Sequence, residues 1–452
     1  MSLEHKDILI EVDWDNDDSF SHAMSEVDDW LSVKYRIGNA WQNGWPEPES
    51  ARGELLFKNQ DRRWQNLDLI QRESAHKMRV SVDGKDLFSG RLQSMNPTRD
   101  SKAIHRVKGR IESPNKDKFN RTIEYANVDP IDTFEVLVGY LERARLPQGS
   151  IVLGRQQAGV FSEAITVKQF LSQFSRFAGA FVGEDRHSNI GCIHWGLASQ
   201  HQGPMLDVED VFTSERPSLT FKRDLRTEVE ITVTRAVETT SHPLSDVDVM
   251  VDAGETVIIR AEATGDTLID ANWDDPEPYL GVSTRVIEKQ PKTLVLEITN
   301  VTDTIIPYQL SFSGAATYAR NEDTLIVRSP LADEIDRRRL VLPTWFAQDQ
   351  LAYGEHTFDY YREGINWGSF KIIIDQVSDI PLEIQPGVVF GLENADILNP
   401  PTNQWLCYAA DFDLSTDKLS SVTIEAIGLH DPREGSRWGR ALWNEGRWVA
   451  SA

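Results

Sequence analysis

The feature that most constrains this chain is a series of short alternating strands cut by turn residues, clearest at Asp83-Gly84. Asp-Gly between two strand-like runs favours positive φ at both turn positions, which is what a two-residue hairpin requires. Met78-Arg79-Val80-Ser81-Val82 and Leu87-Phe88-Ser89-Gly90-Arg91-Leu92 are therefore expected to pair as antiparallel neighbours. Residues 8–12, 52–59 and 104–111 have the same texture. Residues 1–127 thus read as one antiparallel β-domain, a small barrel.

The period changes at Asp129-Pro130, where Asp suits an N-cap and Pro the first helical position. Ile131, Phe134, Leu137, Val138 and Leu141 follow at helical spacing. A second helix is expected from the capping-box pattern Thr166-Val167-Lys168-Gln169. Its apolar stripe is Phe170, Leu171, Phe174, Phe177 and Ala178, with Gly179 as its stop. Aromatic residues at this spacing form core. Residues 128–213 are assigned to an α+β domain.

Strand texture returns at 218–221 and 228–233, and again at 370–374 and 422–427, with a charged helical stretch near 332–339. This gives a second β-barrel from residues 214–240 and 326–430. Between its parts, 241–325 reads as an inserted β-sandwich with strands at 257–259, 294–300 and 308–312. The final segment, 431–452, spaces Trp438, Trp443 and Trp448 every five residues, a period of neither helix nor strand. It reads as an arm whose indoles dock on a neighbour or on the chain's own body. The expected fold class is mainly β with a smaller α+β part: two tube-like barrels, a helical domain between them, and the sandwich.

At 452 residues the chain needs several cores. Its net charge of −24 opposes direct, sequence-specific binding of nucleic acid, which needs a basic surface. An acidic face suits a conduit through which DNA slides, or serves solubility alone. No apolar run is long enough for a membrane helix, and the first residues lack a signal core, so folding in a cytoplasm is expected. Cys192 and Cys407 lie far apart with no CxxC spacing and read as buried thiols.

Catalytic signatures are missing: there is no HExxH, GxxxxGK[ST], GxSxG or GxGxxG. No catalytic residue and no cofactor is assigned, and a non-enzymatic role is expected. The one metal candidate is Asp13, Asp15 and Asp17, which match ligand positions one, three and five of a calcium loop. Asp18 stands where that loop needs Gly, and Met24 where it needs Glu, so an EF-hand is excluded.

Several of these stretches also resemble minor tail proteins of long-tailed bacteriophages, in particular tail-tip (baseplate) hub proteins. Val12-Asp13-Trp14-Asp15-Asn16-Asp17 is similar to the opening of many of them. So are the 51–61 strand, Leu87-Phe88-Ser89-Gly90-Arg91-Leu92, Val128-Asp129-Pro130-Ile131-Asp132, and the helix at 170–179 with Cys192-Ile193-His194-Trp195 after it. The terminal Trp438, Trp443 and Trp448 are common in the group too. The resemblance implies a virion protein assembled in the host cytoplasm. It implies a homotrimer whose six barrels adapt the sixfold tail tube to a threefold tip. Distal tail, tape-measure, and tip or receptor-binding fibre proteins are the implied partners. The alternative is a carbohydrate-binding or cell-wall-degrading tip module, with Trp273 and Tyr279 as stacking rings.

Overall fold

The computed structural model describes residues 7–14, 17, 19–20, 30–42, 45–58, 76–99, 105–125, 127–153, 157–160, 165–198, 203–207, 218–222, 228–265, 268–276, 279–328, 339–341, 346–347, 365–374, 380–393 and 404–429. The expected helical stretch at 332–339 falls outside them except for Arg339, which opens a strand, Arg339–Val341, beside residues 228–230. The 431–452 arm, with Trp438, Trp443 and Trp448, also lies outside the described residues, as does Asp15.

The chain is mainly β. Twelve strands form one sheet, labelled here in chain order. The first six are β1 (Ile8–Asp13), β2 (Trp30–Gly38), β3 (Arg52–Lys58), β4 (His76–Val82), β5 (Lys85–Arg99) and β6 (His105–Glu112). The second six are β7 (Met205–Asp207), β8 (Ser218–Lys222), β9 (Ile365–Ile373), β10 (Val389–Glu393), β11 (Gln404–Ser415) and β12 (Ser421–Leu429). Period-two burial decides which face of each strand turns inward. In β2, Leu31, Val33, Tyr35 and Ile37 are buried while Lys34 is exposed. The hairpin joining β4 to β5 turns at Asp83 (φ 51°) and Gly84 (φ 76°), as the Asp-Gly pair requires.

The first six strands are ordered β1-β4-β5-β6-β3-β2, and the second six β7-β10-β11-β12-β9-β8. Position by position this is one order used twice. The ladders agree in direction except at one place: β1 lies antiparallel to β4, whereas β7 lies parallel to β10. The two sets are joined edge to edge, because β2 pairs with β3 on one side and with β11 on the other. The strand-rich regions expected as separate barrels therefore share a sheet, and one apolar cluster draws on both. Phe88 stacks on Tyr35 at 4.0 Å and meets Phe412, from the second set, at 5.7 Å.

Between the two sets comes the α+β part. Helix α1 (Thr133–Ala144) is capped by Asp132, whose Oδ1 accepts the Phe134 N–H at 2.9 Å. The expected cap, Asp129, sits with Pro130 in the preceding strand, Asn127–Asp132, and the helix starts where a carboxylate can reach the orphan N–H. Phe134 is correspondingly exposed, and the buried stripe is Val136, Leu137, Tyr140, Leu141 and Ala144. Helix α2 (Val167–Ala178) has the full capping box of Thr166 and Gln169 and stops at Gly179 (φ 57°). Its Phe170, Leu171, Phe174, Phe177 and Ala178 are all core.

Two long strands, Glu228–Val251 and Ile306–Arg328, run antiparallel away from the twelve-stranded sheet. Leu268–Trp273 extends their sheet by pairing with the middle of the second strand, residues 314–318. A separate three-stranded sheet of Thr256–Glu262, Thr293–Asn300 and Val282–Lys289 lies against it. The two enclose an apolar cluster of their own that includes Trp273, Leu296 and Phe312.

Candidate assembly surface

Three buried or part-buried polar ties hold the two strand sets and the α+β part together, and the first lies at the junction of β2 with β11. Asn39, fully buried just past β2, donates its backbone N–H to Tyr408 O at 2.8 Å. Its side-chain Nδ2 donates to Pro46 O at 2.9 Å and to Val182 O at 2.8 Å. One residue, through its backbone and its side chain together, thus ties both strand sets to the α+β part.

Glu184 makes a second tie, from the α+β strand Ala180–Glu184 to the first strand set. Its Oε2 accepts the Ala51 N–H at 2.8 Å, and its Oε1 accepts from Ser113 Oγ at 2.6 Å and Asn115 Nδ2 at 2.9 Å. Burial pushes its carboxyl above the ordinary carboxylate range, against the opposing pull of these three hydrogen bonds.

The following turn supplies a third tie. Asp185 Oδ1 accepts the N–H groups of His187 and Asn189, each at 2.8 Å, and closes the loop. Arg186 then donates its backbone N–H to Gln385 Oε1 at 3.2 Å and Nη1 to Leu382 O at 2.9 Å. Its carbonyl accepts the Ser89 N–H of β5 at 3.1 Å. Around these bonds Phe181 and Ile193 pack on Val389, Leu406, Tyr408 and Ile427. The α+β part is thus wedged against both strand sets beside their junction.

Over the same junction lies an open trough of about 920 Å³. Lys34, Arg36, Arg52, Lys108, Arg110 and Lys371 line it, against Glu54, Asp411 and Asp413. Cations outnumber carboxylates here, so this face does not carry the acidity implied by the net charge of −24. Oppositely charged residues face each other across the ladders. Lys34 lies 3.7 Å from Asp413, and Lys108 2.7 Å from Glu54. Arg36 bridges Asp411 and Glu425, the latter at 2.8 Å. Burial pulls the Arg36 guanidinium down, but the hydrogen bond to Glu425 and the two carboxylate charges outweigh it and leave its pKa raised. Asp411 is raised by burial despite Arg36.

Of the residues singled out from sequence, Asp13 is buried at the end of β1, and its Oδ1 accepts the Asp17 N–H at 3.3 Å. Among the described residues no group of His, Cys, Asp and Glu is placed to hold a metal ion. Trp273 is buried, with its Nε1 donating to Gln290 O at 3.1 Å, so it offers no face to a sugar. Tyr279 is half exposed and meets Tyr308 edge-on. Cys192 and Cys407 are free and buried in different clusters, as expected. The described part of the chain has no helix long and apolar enough to cross a membrane. Asn39, Glu184 and Arg186 escaped sequence reasoning, because nothing local distinguishes them from turn residues.

No protein-family model matches the sequence, and no curated protein matches it. Solved structures do. A tail protein from Neisseria meningitidis MC58 aligns with a TM-score of 0.52 at 9% identity, over 93% of this chain and 96% of that one. The 43 kDa tail protein of prophage MuSo2 from Shewanella oneidensis aligns with a TM-score of 0.51 at 9% identity, over 93% and 98%. At such low identity what is shared is the fold. Over 93% of its length, the fold of this chain is that of these tail proteins.

Proposed function

We propose that this chain is a structural, non-enzymatic component of a phage tail, the hub at the tail tip. In this reading three copies form a ring in which each contributes two strand sets, so a threefold particle offers six similar segments to a sixfold tube. The ring closes the tube and anchors the tape-measure and distal tail proteins on one side and tip or fibre proteins on the other. The observation that carries this reading is the single strand order used twice in one sheet. A duplicated unit is what a protein needs to match a partner of twice its rotational symmetry.

Within this reading, residues 1–127 and 214–240 with 326–430 are the two ring segments. Residues 128–213 hold them at a fixed angle, and 241–325 projects from the ring. The 431–452 arm, with Trp438, Trp443 and Trp448, docks on a neighbour. Light scattering after size exclusion, followed by electron microscopy of the purified protein, tests this directly. A trimeric ring with a central hole is expected. A monomer at all concentrations refutes the reading.

A further inference from the structure

Besides the outer sides of β1 and β7, two backbone edges of the twelve-stranded sheet are without a partner strand among the described residues. One is the side of β8 away from β9. The other is the second half of β5: β4 covers it from Lys85 to Leu92 only, while β6 lines the opposite side from Arg91 to Arg99.

The equivalent stretch of β11 shows what such an edge is for. There β10 covers Gln404 to Leu406, β12 lines the opposite side, and β2 takes over from Ala409 to Ser415. Both strands carry an irregularity at the changeover, between Leu92 and Ser94 in β5 and between Cys407 and Ala409 in β11. The uncovered edge of β5 thus matches the edge on which β2 sits, and the strand matching β2 is β8. Within one chain these two are not paired: β6, β3, β2, β11, β12 and β9 lie between them in the sheet.

We infer that β8 of one copy pairs antiparallel with residues 94–98 of β5 in a second copy of this chain. The inference rests on the ring reading and specifies its contact. Such a contact is head-to-tail, and it closes when the rotation between copies divides the circle.

The internal ladders set the register. Gly53 lies opposite Ile111, and Gly368 opposite Ala426, which makes them equivalent; their partners on the next strand are Tyr35 and Leu219. Tyr35 pairs with Phe412, which lies opposite Val422 as Pro97 lies opposite Val107. Leu219 of one copy therefore faces Pro97 of the next, Thr220 faces Asn96, and Ser218 faces Thr98.

The N–H of Asn39 bonds Tyr408 O, and that of Thr416 bonds Leu31 O. Counting by alternate residues from these bonds makes Tyr35 and Phe412 a hydrogen-bonded pair. Arg36 with Asp411, and likewise Thr220 with Asn96, is then a non-hydrogen-bonded pair with close Cβ atoms. Pro97 contributes its carbonyl but no N–H. The missing N–H costs this pairing one ladder hydrogen bond, as it would any strand that adds to this edge.

The test is disulfide trapping in the full chain, whose own two thiols are buried. Asn96→Cys with Thr220→Cys, and separately Thr98→Cys with Ser218→Cys, should give covalent oligomers ending at a closed trimer on a non-reducing gel. Single variants should give none. Asn96→Cys with Leu219→Cys, slipped by one residue, should also give none, because a one-residue slip turns the side chain to the other face. A trimer by light scattering whose matched pairs fail to cross-link, or cross-link no better than the slipped pair, overturns the strand contact and leaves the ring. A protein that stays monomeric overturns the ring and the contact together.

Discussion

Replacing Glu184 probes the wedge between the strand sets more sharply than any other single change. The side chain is wholly buried and accepts three hydrogen bonds, from Ala51, Ser113 and Asn115. Glu184→Ala leaves these donors without their acceptor, each at a cost of about 1–3 kcal/mol. Relief from burying a carboxylate offsets part of that sum, so the expected net loss is about 3–5 kcal/mol. Glu184→Gln keeps a carbonyl for Ser113 and Asn115 but turns an amide N–H toward the Ala51 N–H. Its loss should be smaller, about 1–3 kcal/mol. The pH dependence follows from the raised carboxyl pKa. The folded state holds this proton more tightly than the unfolded state. The group's contribution therefore grows as pH falls through its folded pKa toward its unfolded one, and is lost as pH rises. The stability gap between wild type and Glu184→Gln should widen on acidification from neutral toward about pH 5. Urea unfolding followed by Trp fluorescence measures the gap at each pH. A gap that narrows, or a Gln variant as unstable as the Ala variant, would refute the burial account.

Gly38 adopts φ 94°, and a Cβ there would lie 2.3 Å from Tyr408 O, so Gly38→Ala should cost at least about 1–3 kcal/mol in thermal or chemical unfolding. Arg36→Met strips Asp411 and Glu425 of their shared cation; because the guanidinium keeps some solvent contact, a loss of about 1–2 kcal/mol is expected. Stability equal to wild type would show the bridge to be superficial. Burial raises both thiols, so neither Cys192 nor Cys407 should react with a polar disulfide reagent until the protein is unfolded; fast labelling of the native chain contradicts the packing. Thr239 lies opposite Ala316, so the ladder can be closed there by an Asn-Gly turn in place of residues 240–315. The cluster so removed shares no residue with the others, and the remainder should keep its melting temperature within a few degrees.

What was legible in the sequence was local. Asp83-Gly84 and the Thr166–Gln169 capping box both act within a few residues, and both recur in the structure as read. The first helix was legible by its period, but its start was misplaced by three residues, because Asp129 and Asp132 both satisfy the cap pattern and only backbone conformation decides between them. Alternation marks the buried face of β2, a strand that the sequence reading passed over. It could not tell that the far edge of β2 joins Ala409 to Ser415 of β11, since edge pairing leaves no mark on side-chain period. Asn39, Glu184 and Arg186 stayed hidden for a related reason: Val182, Asn115 and Gln385 lie 143, 69 and 199 residues from them.

The two junctions that one strand order creates differ in chemistry, and the difference bears on assembly. Where β2 sits on β11 within the chain, Arg36 stands opposite Asp411, with Glu425 on the next strand completing a charged triad. At the equivalent positions between copies stand Thr220, Asn96 and Arg110. That set has no acid to receive a cation, and Pro97 removes a ladder donor beside it. The internal junction is thus locked by charge and by the wedge, while the external one depends on backbone pairing with neither support. One such contact alone is weak, and the closed ring holds because it makes three of them at once. Closing at three copies leaves no open edge from which chains could go on polymerising, a hazard built into every head-to-tail contact.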